Sequence, residues 1–133
     1  MCQKAAIYFT ERDGGNIINF ASVYGFLPPR FKIYKDSKMT KEVGHVVCKS
    51  AIILLTNYLA KYLKGRNIRA NCVSPGGVID GHFEEFMAKY ASYCMSKGML
   101  TSNDVTGTAL FLLSDQSRFI TGQKIVVDEG FTL

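Results

Sequence analysis

Asn16-Ile17-Ile18-Asn19-Phe20-Ala21 and Ile68-Arg69-Ala70-Asn71-Cys72-Val73 flank a long apolar segment, Thr40 to Leu63, and these three stretches decide the fold. The two short runs are β-rich and bounded by turn residues, Gly14-Gly15 before the first and Ser74-Pro75-Gly76-Gly77 after the second, so each reads as a buried strand. The segment between them is helical. Val47, Ala51, Leu55, Leu59 and Leu63 form one row at i+4 spacing, and Val46, Ile53, Leu54 and Tyr58 add a second face. Thr40 is the expected N-cap, Glu42 suits the first turn, and Gly65 suits the stop. An apolar stripe that wide calls for burial on two sides, by a sheet and by another helix or subunit.

Working outward, Cys2 to Phe9 is short and partly helical in pattern, and Ser22 to about Met39 is irregular, broken by Gly25 and Pro28-Pro29. Gly81 to Tyr93 is weakly helical. Asn103 to Leu113 is a better helix with Ser102 as expected cap, and Lys124-Ile125-Val126-Val127 is a last strand. Strand, helix, strand, helix, strand is the order of a parallel sheet with crossover helices, an α/β fold.

The chain has 133 residues, one domain's worth, with 47% hydrophobic and 20% charged residues, which excludes disorder, collagen and coiled coil. Ala51–Leu55 is as long as any unbroken apolar run, and the start carries no secretory pattern, so no membrane association and a cytoplasmic location are expected. The net charge of +5 is scattered. Its densest stretch, Arg30 to Lys41, has five basic residues and one acid but no accompanying motif, so nucleic acid is not an expected partner. Cys2, Cys48, Cys72 and Cys94 lack metal or redox spacing, and Cys48 and Cys72 read as small buried hydrophobes.

Three stretches go further. Gly15 to Ser22 is a strand that delivers a serine at its C-terminal end. Lys49-Ser50-Ala51-Ile52-Ile53-Leu54-Leu55-Thr56 leads, through Leu59-Ala60, to Asn67-Ile68-Arg69-Ala70-Asn71-Cys72-Val73-Ser74-Pro75-Gly76-Gly77-Val78. Phe111-Leu112-Leu113-Ser114-Asp115, Ile120-Thr121-Gly122-Gln123 and Val127-Asp128-Glu129-Gly130 close the chain. In this order and spacing they resemble the C-terminal half of a short-chain dehydrogenase/reductase over nearly the whole chain. The insert Tyr24 to Thr40 and the stretch Tyr93 to Leu100 are similar to dehydrogenases of bacterial surface-sugar and flagellin-modification genes.

The resemblance implies half of a Rossmann-type doubly wound parallel sheet, with residues 1–133 forming a partial domain that lacks the nucleotide-binding half. It also implies hydride exchange between NAD or NADP and a carbonyl or alcohol carbon of a small, polar, sugar-like substrate. In the family a serine hydrogen-bonds the substrate oxygen and a tyrosine moves its proton. A lysine one helical turn on lowers the tyrosine pKa and holds the nicotinamide ribose. Ser22 matches the serine and Lys49 the lysine, but His45 stands where the tyrosine belongs. Tyr34 and Lys38 have the tyrosine–lysine spacing, yet they lie in the irregular insert with no apolar helix in register after them. An imidazole is shorter than a phenol, and Lys49 beside it would depress its pKa, so His45 is expected to mark an impaired site.

Pro75, Gly76 and Val78 match the segment that passes the nicotinamide, Val78 meeting its carboxamide through the backbone. The glycine-rich turn for the pyrophosphate has no counterpart, since Gly14-Gly15 precede a strand instead of following one. Thr121-Gly122-Gln123 and Asp128-Glu129-Gly130 are expected to be architectural. The chain alone is thus expected to be inactive or nearly so, and to form homo-oligomers. The strand Asn16 to Ala21 would leave an edge unpaired, and the family's equivalent of the Thr40–Leu63 helix packs on its symmetry mate. The alternative reading is a non-catalytic module that acts through self-association or pairing with a full-length relative.

Overall fold

Alternation along the middle strand sets the layers. In β2 (Ile68–Pro75), Ile68 and Ala70 face one side of the sheet and Val73 faces the other, all buried. The computed structural model, which describes residues 1–37 and 39–133, pairs β2 in parallel with β1 (Gly15–Phe20) on one edge and β3 (Lys124–Val127) on the other. The order is β1-β2-β3, with Gly15 opposite Ile68 and Cys72 opposite Lys124. Both crossovers are helical: α2 (Val43–Tyr62) leads from β1 to β2, and α3 (Glu84–Ala91) and α4 (Ser102–Leu113) lie between β2 and β3. A short α1 (Cys2–Thr10) precedes the sheet. The α/β fold with three parallel strands is as expected. β1 has no neighbour on its outer edge among the described residues.

Helices α1 and α2 cover one sheet face, where Ala6, Leu59 and Leu63 pack on Ile17, Ile68 and Ala70. Helix α4 covers the other, its Val105 and Leu112 packing with Val73 and Leu100. A third cluster at the C-terminal end of the strands holds Val23, Tyr24, Ile33, Tyr34, Phe86, Tyr90, Met99 and Phe131. The insert is not wholly irregular, because one-turn 3-10 helices at Val23–Gly25 and Phe31–Tyr34 bring its tyrosines into this cluster. Truncating Leu112, which is fully buried, to alanine is expected to cost about 2–5 kcal/mol in denaturant unfolding.

Polar residues inside β2 tie the sheet to its last connection. Asn71 donates to the Ile120 carbonyl (2.8 Å) and accepts from the Gln123 N–H (3.0 Å), while Arg69 donates to the carbonyls of Leu112 and Ile120. Thr121 and Gly122 bond the backbone of Ala70. Asp128 accepts from Gly130 and Thr132 N–H groups, and Glu129 accepts from Ser96 and Gly98. Both motifs are architectural, as expected.

Several details depart from the sequence reading. Helix α2 begins at Val43 with Glu42 at the cap position, so Thr40 does not cap it. Helix α4 is capped by Thr101, not Ser102: Thr101 and Asp104 exchange bonds in a capping box. Cys72 is buried but Cys48 is exposed. The row Val47-Ala51-Leu55-Leu59-Leu63 is not one buried face, because successive i+4 positions drift by about 40° around the axis. It winds from exposed Val47 and Leu55 to buried Leu59 and Leu63.

The face of α2 turned to the sheet carries Ile53, Thr56, Leu59 and Ala60, and Thr56 accepts a hydrogen bond from Asn19 of β1 (2.9 Å). The opposite face leaves Val43, Val47, Leu54, Tyr58 and Tyr62 exposed. By length and composition alone α2 also suits a membrane span, with a mean hydropathy of 1.4 that a count of unbroken apolar runs misses. Its packing on the sheet along one side makes it a sheet-covering helix whose other side is bare.

Candidate active site

β1 ends where the chain must turn toward α2. Ala21 still bonds the Val73 carbonyl (2.8 Å), and Ser22 then caps the 3-10 turn, its Oγ accepting from the Tyr24 N–H (3.2 Å). The serine's own O–H has no acceptor among the described residues and is free to donate. Gly25 completes the turn against α2: a Cβ there would sit 2.8 Å from the Lys49 carbonyl oxygen. Ser50 Oγ donates to the Gly25 carbonyl (2.7 Å) and locks the approach. This contact holds the Ser22 turn against the helix that carries His45 and Lys49.

Lys49 Nζ donates to the Phe20 carbonyl (3.0 Å), two residues before Ser22. Lysine and serine are therefore both held at the C-terminal end of β1. His45 lies one turn earlier on α2 and is half-buried. Burial first, and then the charges of Lys41 and Lys49, lower its pKa below the usual histidine value. At neutral pH the imidazole is uncharged, which makes it a poor proton donor. An NMR titration of His45 is expected to show a midpoint below the ordinary value of about 6.5 and to move upward in Lys41→Ala. The unfolded chain protonates this histidine at higher pH than the folded one. Its contribution to stability is therefore full above the ordinary histidine range and falls as pH drops through it.

Ser22, His45, Gly76 and Val78 line one cleft of about 500 Å³. Both histidines of the chain are there, with His82 stacked on Phe86 (5.3 Å between centroids) and its Nδ1 accepting from the Asp80 N–H (3.1 Å). Tyr24, Tyr34 and Tyr90 complete the wall. Tyr90 Oη accepts from the Gly77 N–H (2.6 Å), and a Cβ on Gly76 would come within 2.8 Å of that oxygen, which is why the turn after β2 needs a glycine. Two expected site residues stand outside this cleft. Lys49 faces the Phe20 carbonyl, and Pro75 lines an adjoining apolar cleft with Phe20, Val105 and Leu110, to which Val78 also contributes. Tyr34 of the alternative tyrosine–lysine pair is buried on a 3-10 turn, off the α2 surface; Lys38 lies outside the described residues.

The sequence reading missed Tyr24, Tyr90, Asp80 and His82. Tyr24 was legible as the residue two places after Ser22 and just before Gly25; the others depend on how the loop after β2 folds back.

The residues present fit the nicotinamide end of a dinucleotide. Val78 bridges in parallel to Leu100, but the bonds of that bridge run through its neighbours, Leu100 N–H to the Gly77 carbonyl and Ile79 N–H to the Leu100 carbonyl. Neither the N–H nor the carbonyl of Val78 has a partner among the described residues, so a carboxamide can pair with both. Lys49, bonded among the described residues only to a carbonyl oxygen, retains ammonium donors for a ribose.

The family pattern described as enoyl-(acyl carrier protein) reductase matches residues 1–132. The post-translational flagellin modification protein A of Campylobacter coli is 42% identical over 131 residues, covering 98% of this chain and 51% of that protein. The 7alpha-hydroxysteroid dehydrogenase of Bacteroides fragilis is 36% identical over 93% of this chain and 46% of its own length. A short-chain dehydrogenase from Leptospira borgpetersenii, crystallised with bound NAD+, superposes with a TM-score of 0.89 at 32% identity, covering 99% of this chain and 50% of that one. The chain thus spans about half the length of the relatives it matches. Matched from residue 1 to residue 132, with Ser22 and Lys49 brought to the end of one parallel strand, it belongs to the short-chain dehydrogenase/reductase family.

Proposed function

We propose that this chain is the substrate-side half of an NAD(P)-dependent oxidoreductase acting on a carbonyl or alcohol of a small, polar, sugar-derived substrate. The observation that carries the reading is the convergence of Ser22, Lys49 and the unpaired backbone of Val78 at the C-terminal ends of β1 and β2, beside a cleft large enough for a monosaccharide-sized body. The sugar class is supported by the likeness to a probable galactose dehydrogenase of Rhizobium meliloti, 32% identical over 98% of this chain.

In this reading Ser22 donates its free O–H to the substrate oxygen, where charge builds during reduction. Lys49 would use its remaining ammonium donors to hold a ribose hydroxyl of the cofactor. Val78 orients the carboxamide, and the nicotinamide supplies or takes the hydride when bound. His45, kept uncharged, protonates the oxygen poorly, so the site works far below the rate a tyrosine would give. The pyrophosphate needs backbone donors at a helix N-terminus following a glycine-rich turn, and no such segment occurs within residues 1–133.

Calorimetry tests this. The 133-residue chain is expected to bind NADH and NADPH more weakly than about 1 mM. Joined to the nucleotide-binding half of the Campylobacter coli relative, it is expected to bind one of them and to oxidise it slowly with a keto-sugar. Low-micromolar binding by the chain alone, or no turnover by the joined form under any substrate tried, contradicts the proposal.

The exposed face of α2 supports a second reading, compatible with the first: the chain self-associates, or pairs with a full-length relative, through that helix.

A further inference from the structure

Of the three phenols in the cleft, none of which has a part in the chemistry above, two bond each other. Tyr24 and Tyr34 are only 5% and 8% exposed, and both line the cleft with Ser22 and His45. Their hydroxyls are 3.2 Å apart, with Tyr34 donating to Tyr24. Two hydroxyls carry two protons, and the bond between them uses one. No group among the described residues accepts the other, which belongs to Tyr24. A buried donor left without an acceptor is costly, so the arrangement is complete only when something in the cleft accepts that proton.

The pair is rigidly placed. The Tyr24 N–H bond to Ser22 Oγ fixes its position relative to the serine, and Tyr34 packs on Phe86 (5.3 Å between ring centroids). Burial raises both phenol pKa values, that of Tyr34 above the ordinary tyrosine range, and it outweighs the opposing pull of Arg30 on Tyr24. A phenol held neutral is a standing hydrogen-bond donor, not a proton-transfer group.

We propose that the Tyr24–Tyr34 pair reads the substrate: it gives its spare O–H to an acceptor oxygen and so selects molecules that carry such an oxygen within its reach in the cleft. This rests on the oxidoreductase reading only in taking the cleft as the substrate site.

The test needs neither cofactor nor turnover. Cyclohexanone is a ring that accepts hydrogen bonds and cannot donate them, and saturation-transfer NMR measures its affinity for the full chain in whatever assembly it forms. Tyr24→Phe and Tyr34→Phe each leave one spare O–H, so each single variant is expected to bind within about twofold of the parent. The double variant leaves the pair none, and with every form, parent included, carrying Ser22→Ala so that the serine cannot stand in, a loss of about threefold to tenfold is expected, the value of one neutral hydrogen bond. A purely structural role would not produce this non-additive pattern.

In the parent chain, saturating cyclohexanone is also expected to shift the ring Cζ signals of both tyrosines, a readout that needs no variant. Unchanged affinity in the double variant, additive single losses, or no shift at either tyrosine overturns the proposal. Failure of the joined enzyme to turn over would count against the oxidoreductase reading alone.

Discussion

Replacing His45 by tyrosine, in the chain joined to a complete nucleotide-binding half, is expected to raise turnover by about a hundredfold or more, the usual contribution of a positioned general acid. The position is right for it: residue 45 lies one helical turn before Lys49 and lines the same cleft as Ser22. The charge arrangement that handicaps an imidazole would help a phenol. Lys41 and Lys49 lower the pKa of His45 and thereby disfavour its acidic, cationic form. The same cations would favour a tyrosinate and make the phenol a stronger acid. Ser22→Ala or Lys49→Ala, made on the His45→Tyr background, should each remove most of the gain in steady-state assays. If the parent is already as active as the His45→Tyr form, the imidazole is a competent acid and the impaired-site account fails.

Leu54→Glu combined with Tyr58→Glu is expected to convert an associating chain into a smaller species. Leu54 is 71% exposed and Tyr58 59%, and with Val47 and Tyr62 they form a continuous apolar stripe on the side of α2 away from the sheet. A groove between α1 and α2, lined by Ile7, Leu55, Tyr58 and Tyr62, adjoins it. A contiguous patch of a few hundred Å² marks an interaction surface, and each Å² covered is worth roughly 25 cal/mol. Two buried glutamates per protomer would cancel that gain by desolvation. Sedimentation velocity at micromolar concentration should show dimers or larger species for the parent and a clear fall in mass for the double variant. A parent that sediments as a cooperatively unfolding monomer contradicts the expectation. A double variant that stays associated through the free edge of β1 assigns the contact to the sheet instead.

The fold was legible because the segments that build it are governed by local pattern. Ile68 to Val73 and Lys124 to Val127 read as strands from β-rich runs between turns, and α2 from its length and apolar content. The departures arose where a side chain or a long-range contact settles the matter. Thr101, not Ser102, caps α4 because Asp104 lies at the position that returns the bond, a distinction of one residue. Cys48 falls on the side of α2 that the single chain leaves bare, so its apolar neighbours in sequence are not neighbours in a core. In the site, Ser22, Lys49 and Val78 could be placed by resemblance, since Ser22 and Val78 follow strands and Lys49 lies inside the long helix α2. Tyr34, Tyr90 and His82 enter the cleft through the folding of the insert and of the loop after β2. Nothing in their spacing announces that they meet.

Ser22, Lys49 and Val78 are proposed to form the nicotinamide end of a hydride-transfer site. The most direct measurement is a crystal structure of the joined chain with NAD+. The account predicts the carboxamide on the Val78 backbone, a ribose hydroxyl on Lys49 Nζ, and the nicotinamide ring facing the cleft beside Ser22. A dinucleotide bound elsewhere, or Lys49 making no ribose contact with Val78 unpaired, would contradict it.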